Sequence, residues 1–245
     1  MKTIAFAARN RKEIVRDPLN LAFGIGFPLI ILFLLTALQA NIPADIFVIH
    51  KLVPGVAMFG LSFVSLFSGM LIAKDRSSSF LTRLFTAPLT APDYIVGYTL
   101  PLVPMAMIQI LICFLAAIFL GLPVSFNALL SILSLIPTAI LFIAIGLLAG
   151  SILNDKQVGG VCGALLTNFS AWLSGIWFDL NLIGGWFKGI AYVLPFAHAV
   201  EASRAAMSGD YASILPHLWW VIGYAAVIIV IAVYAFKKKM NGNEA

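Results

Sequence analysis

The chain has 245 residues, of which 62% are hydrophobic and only 10% are charged, against roughly 25% charged in an ordinary globular domain. So few charges cannot cover a water-facing surface of this size, and the composition also excludes a disordered chain and a disulfide scaffold; the apolar exterior requires lipid as its solvent. The net charge of +5 does not point to nucleic acid, because the basic residues cluster beside apolar runs, where they set membrane orientation and meet anionic lipid.

Lys2, Arg9, Arg11, Lys12 and Arg16 precede the first apolar run, and Ile4, Ala8 and Val15 share one helical face among them. Residues 1–17 are therefore expected to form an interfacial elbow helix whose basic side chains snorkel toward water. Asp17-Pro18 supplies a cap and a first-turn proline for the span that follows. Five stretches lack Asp, Glu, Lys and Arg: 18–44, 52–73, 94–154, 157–178 and 211–236. The first is too apolar and too long for a cleavable signal, and Leu38-Gln39-Ala40 is a poor cleavage site. A helix needs about 20 residues to cross the hydrocarbon core. Four stretches then hold one span each, and 94–154 holds two, parted by the turn-like segment from Gly121 to Asn127. The expectation is an all-α integral membrane protein, a single transmembrane domain over 1–245 with spans at 18–40, 52–73, 98–120, 128–151, 157–178 and 214–236.

The apolar piece 189–200, between Lys188 and Glu201, is too short to cross and suits a re-entrant or interfacial segment. With six spans, twelve of the fifteen Lys and Arg fall on the side of the two chain ends, leaving Lys51, Lys188 and Arg204 opposite. That split places both termini in the cytoplasm.

The spans carry essentially no ionisable side chains, which ion-coupled transporters and pumps use to bind the coupling ion. No Gly-x-x-x-x-Gly-Lys-Ser/Thr loop occurs either, so the chain cannot cradle ATP phosphates itself. Energy for active transport must come from another subunit docked on the cytoplasmic side. The loop 74–93 offers a device: Ser77–Ser79 can cap a helix, after which Phe80, Leu81, Leu84 and Phe85 share a face, with Arg83 on the other. Pro88 and Pro92 end that helix. Periodicity alone leaves two readings open: an apolar face seated in a groove on a soluble partner, or one lying on lipid.

Other groupings read as packing or pairing. Ser62, Ser65 and Ser68 recur at helical spacing, and Gly146/Gly150 and Gly159/Gly163 are small-x-x-x-small patterns that let helices approach closely. Cys113 and Cys162 lie in apolar runs and read as small packing residues. His50, His198 and His217 lack metal-ligand spacing, and no metal is expected. Glu201 and Arg204, three residues apart, can pair on one helix face.

The stretch Phe80-Leu-Thr-Arg-Leu-Phe-Thr-Ala-Pro-Leu89, continuing to Gly97, resembles the loop between the second and third spans in permeases of the ABC type-2 transporter family. Leu173-Ser-Gly-Ile-Trp-Phe178, and then Leu194-Pro-Phe-Ala-His-Ala-Val-Glu-Ala-Ser-Arg204, resembles that family's segment after the fifth span. Departures are Ser78-Ser79 where an acidic residue and glycine are common, Ala87 before Pro88, and Tyr98 for the usual lysine. The resemblance implies a permease for the cytoplasmic membrane of a bacterium or archaeon, working as a homo- or heterodimer with two soluble ABC ATPase subunits. ATP and magnesium would be bound by those subunits, with no cofactor in this chain. It further implies export of an amphiphilic substrate such as a drug, lipid or peptide. Phe80, Leu81, Arg83, Leu84, Phe85, Pro88 and Leu89 would then couple to the ATPase. Residues 179–210 would form an outer re-entrant hairpin involving Pro195, Glu201 and Arg204. Two alternatives compete. One is an intramembrane serine protease using Ser174 with His198 or His217, although Trp172 stands where rhomboid proteases have glycine. The other is a membrane anchor or sensor subunit that transports nothing.

Overall fold

Apolar runs of this length leave the backbone no hydrogen-bond partner but itself, so each folds as helix. The computed structural model describes residues 2–18, 22–42, 45–78 and 90–242, and among them every regular element is helical. An N-terminal helix α1 (Lys2–Val15) precedes α2 (Ala22–Gln39), α3 (Ile49–Ser77), α4 (Ala91–Phe119) and α5 (Phe126–Ile152). Helix α6 covers residues 155–172 and includes the π-helical segment Gly159–Leu166. Short helices α7 (Leu180–Ile183), α8 (Gly185–Val193) and α9 (Pro195–Ser208) lead into the last helix, α10 (Tyr211–Gly242).

Five of the helices, α2 to α5 and α10, are long and apolar enough to cross a membrane. Helix α6 is less apolar, because Asp155, Lys156 and Gln157 open it and Asn168 interrupts it. Contacts define the two ends of the bundle. Phe6 of α1 meets Tyr94 of α4 edge-on at 5.9 Å, and Phe236 of α10 meets the same ring at 5.4 Å. Both chain ends thus sit together, at what we term the terminal end. At the opposite, distal end, Arg204 donates to the carbonyls of Lys51 and Gly175. Helix α6 runs between the ends: Leu153, just before it, is bonded by Arg76 at the terminal end, while Gly175, just after it, meets Arg204.

Helix α3 forms the centre, buried along most of its length. It packs most extensively on α5, and small residues permit this. Ser62, Ser65 and Ser68 are fully buried, and Ser68 Oγ lies 3.0 Å from Ser65 O and 3.1 Å from Ile143 O, its hydrogen shared across the interface. A side chain at Gly146 would begin 1.8 Å from Ser68 Oγ, and one at Gly150 would begin 2.3 Å from Gly69 O. The second glycine pattern behaves differently. Gly163 faces Leu66, whereas a side chain begun at Gly159 or Gly160 would meet nothing beyond its own helix within 4 Å among the described residues.

Gly146→Val should therefore force the α3–α5 pair apart at a cost of roughly 1–3 kcal/mol or more. The thermal midpoint of the detergent-solubilised protein should fall accordingly, while Gly159→Ala should leave it within about 0.5 kcal/mol of the parent. Equal effects of the two substitutions would show that the close approach at Gly146 does not limit stability.

Candidate functional site

Phe80, Leu81, Arg83, Leu84, Phe85, Pro88 and Leu89 lie outside the described residues. The two stretches that hold their loop are described: the end of α3 and the start of α4. On the far side of the loop, Thr90 caps α4, its backbone N–H and its hydroxyl donating to Asp93 at 2.9 and 2.6 Å. On the near side, Lys74, Asp75 and Arg76 reach three separate parts of the bundle.

Lys74 Nζ lies 3.6 Å from Asp17, just beyond α1. Arg76 Nη1 donates to Gly150 O at 2.7 Å and Leu153 O at 3.1 Å, carbonyls that the last turn of α5 leaves without helical partners. Asp75 is 2% exposed. Arg9 grips it with both terminal nitrogens, Nη1 to Oδ2 at 2.7 Å and Nη2 to Oδ1 at 2.8 Å, and the Tyr98 hydroxyl donates to Oδ2 at 2.9 Å. A buried carboxylate is costly unless paired and hydrogen-bonded, and the two-pronged guanidinium is the strongest such partner. Burial works against the Arg9 charge, but the bond and charge of Asp75 and the charge of Glu13, 2.6 Å away, outweigh it and raise its pKa.

Sequence also explains why α1 docks here. Ile4 and Val15, each 65% exposed, lie on its outer face, while Phe6, Ala7 and Asn10 are buried. Pro101 has no N–H to give to the carbonyl four residues back, that of Gly97; Asn10 Nδ2 supplies that bond at 3.1 Å. Gly97 has no side chain, and one would begin 2.4 Å from the Phe6 ring. Phe6 fits against it, edge-on to Tyr98 at 4.9 Å. Gly97 and Pro101 together make a socket, and Phe6 and Asn10 fill it. Charge counting along the sequence missed Asp75, Tyr98 and Asn10; the one local signal was a glycine four residues before a proline near a helix start.

At the distal end, Arg204 joins three segments. Its Nε donates to Lys51 O at 3.1 Å, its Nη2 to Gly175 O at 3.0 Å, and its Nη1 lies 3.4 Å from Glu201. Gly175 has a φ of +72°, which lets the chain turn after α6 and present that carbonyl. Pro195 is buried at the first turn of α9, where its missing N–H costs nothing. A cavity of about 800 Å³ opens here, lined by Asp179, Tyr192, Glu201, Arg204 and His217 among others. Ser174 is buried and donates to Ala171 O, while His198 and His217 bond each other. The described residues therefore contain no serine–histidine pair of the kind a protease needs.

The family model described as ABC-2 type transporter matches residues 1–208. A protein of Porphyra purpurea named "Putative transport permease ycf38" is 29% identical over 204 residues, covering 78% of this chain and 69% of its own. The protein of the same name from Pyropia yezoensis is 31% identical over 115 residues, 44% of this chain and 40% of its own.

Arg9→Ala would strand the Asp75 carboxylate in the bundle, and should destabilise the protein by about 3 kcal/mol. Adding Asp75→Asn should recover much of that loss, since an amide needs no counter-charge and still meets Tyr98. Thermal midpoints for the full double-mutant cycle would measure the coupling. Simple additivity of the two losses would show that the pair does not act as a unit.

Proposed function

The chain belongs to the ABC-2 type transporter family, and from that premise we propose that it is the membrane-spanning subunit of an ATP-driven exporter served by separate ATPase subunits. In this reading α6 also spans, as the fifth of six in chain order, and the terminal end faces the compartment that holds ATP. The charge asymmetry supports that orientation, with Lys51, Lys188 and Arg204 the only Lys and Arg on the far side. The loop 79–89 then faces the ATPase, and Phe80, Leu81, Leu84 and Phe85 form the apolar face of a coupling helix seated in its groove, flanked by Arg83, Pro88 and Leu89.

The observation that carries the proposal is the arrangement of Lys74, Asp75 and Arg76. Three consecutive residues at the base of the loop bind α1 and its flank, α4, and the end of α5. When ATP draws the two ATPases together, displacement of the loop pulls on all of these elements at once, because shifting any one alone would leave buried polar groups unpaired. Spans lacking ionisable groups suit an amphiphilic cargo such as a drug, lipid or peptide. A second permease copy completes the pathway. The open face of Gly159 and Gly160 on α6, beside the exposed Leu165, Phe169 and Trp172, suits close approach of that copy. Helices α8 and α9 form the outer re-entrant hairpin in this reading, fastened by Arg204. ATP and magnesium stay on the ATPase.

Burying a large apolar side chain is worth about 1.5–3 kcal/mol, and a charge in its place adds a desolvation cost. Leu84→Asp should therefore weaken ATPase association at least tenfold, about 1.4 kcal/mol. Thr82→Asp, on the rim, should do much less. Co-purification of the tagged permease with its ATPase measures both. Normal association and transport by Leu84→Asp would sink the coupling role and favour a helix lying on lipid; transport lost by no variant of this loop would favour an anchor or sensor.

A further inference from the structure

At the distal end, α8, the Leu194 break and α9 meet α10 through histidine and aromatic rings. His198 on α9 and His217 on α10 approach Nδ1 to Nδ1 at 2.7 Å, and His198 Nε2 lies 2.9 Å from Tyr192 O. A carbonyl only accepts, so His198 Nε2 carries a hydrogen. Neutral His198 then has a bare Nδ1, and the hydrogen between the rings is donated by His217. Around this bond, Trp220 packs on His198 with ring centroids 5.2 Å apart. The Trp220 indole and the Tyr224 hydroxyl both donate to Val193 O, at 3.0 and 2.9 Å. Leu194 is extended (φ −86°, ψ 155°) and separates α8 from α9. The pair and the two bonds to Val193 O together fasten this hinge to α10, and His217 also lines the 800 Å³ cavity.

One proton on the pair leaves the ring-to-ring bond intact, whichever ring takes it, because the neutral partner presents a bare Nδ1 in one of its tautomers. Protonation of both rings sets N–H against N–H, and the bond becomes a repulsion. Several charged groups face the pair. Glu201, one turn along α9, attracts a proton but is paired to Arg204. From α8, Lys188 sits over the Tyr192 ring. Asp45, His50 and Lys51 before and at the start of α3, Asp179 after α6, and Asp210 before α10 line the adjoining cavity. Burial is the largest influence and lowers the His198 pKa from its ordinary 6.5; the Tyr192 carbonyl and Glu201 oppose this and His217 adds to it.

We propose that His198 and His217 form a proton-responsive latch: protonation of both rings breaks the tie between α9 and α10, leaves the Trp220 and Tyr224 bonds to Val193 to hold the α8–α9 hinge alone, and loosens the wall of the distal cavity. This inference stands apart from the coupling reading and requires nothing of the ATPase. The latched pair holds at most one added proton across its two rings, whereas the released pair holds two. Latching is thus favoured above pH 6.5 and is lost progressively as pH falls below it.

Hydrogen–deuterium exchange of the purified full chain, corrected for the intrinsic pH dependence of exchange, reads the latch directly. Residues 190–198 should lose protection at least about tenfold between pH 7.5 and pH 4.5, while the core of α3 keeps its own. In His217→Asn, the amide nitrogen donates to a neutral His198 and the amide oxygen accepts from a protonated one, so protection should hold at both pH values. In His217→Leu, protection should be low at both. Wild-type protection that does not change with pH, or acid opening of His217→Asn equal to that of wild type, overturns the proposal, and so does full protection of His217→Leu at pH 7.5.

Discussion

Asp75 lies near the end of α3, between Lys74 and Arg76, and is 2% exposed. A buried carboxylate is costly unless a fixed partner meets it. Here Arg9 supplies two parallel hydrogen bonds and Tyr98 a third. That demand helps hold the N-terminal helix across the end of the bundle, where Arg9 reaches Asp75 while Phe6 and Asn10 occupy the socket at Gly97. It also fixes α4 to α3 at the base of the loop between them. Tyr98 meets the carboxylate through its hydroxyl, leaving Arg9 as the charge partner.

Within the bundle a different rule applies. Lipid tails are as apolar as leucine side chains, so burial of hydrophobic surface gives helices little reason to associate. Close van der Waals approach and shared hydrogen bonds take over, and both require small residues. Gly69, Gly146 and Gly150 let the backbones of α3 and α5 nearly touch, and Ser68 bridges them. The interface is correspondingly intolerant, with no slack for even one added methyl group.

Both ends of the molecule use arginine to bond backbone carbonyls. Arg76 meets those that the last turn of α5 leaves open, and Arg204 bridges Gly175 O in the turn after α6 and Lys51 O in the first turn of α3. The guanidinium suits the task, with five donors in a rigid plane able to reach several acceptors at once. Helix α3, buried along most of its length, carries a fastening at each end.

The sequence by itself determined where helices form. Desolvation of the backbone is a local matter, and a long run without charges dictates helix wherever it occurs; the break between α4 and α5 is legible in Gly121 and the residues after it for the same reason. The exposed face of α1 was legible too, in the spacing of Ile4, Ala8 and Val15. Charge counting marks hydrocarbon rather than helix, so it missed that α4 begins at Ala91, where the Thr90–Asp93 cap starts it. Tertiary structure alone decided the partners. Asn10 and Gly97 are 87 positions apart and Arg9 and Asp75 are 66 apart, and no periodicity links them. His198 and His217 are brought together only because α9 folds back on α10. Each pairing depends on which polar group the folded bundle leaves without water, and that is settled only when the helices have packed.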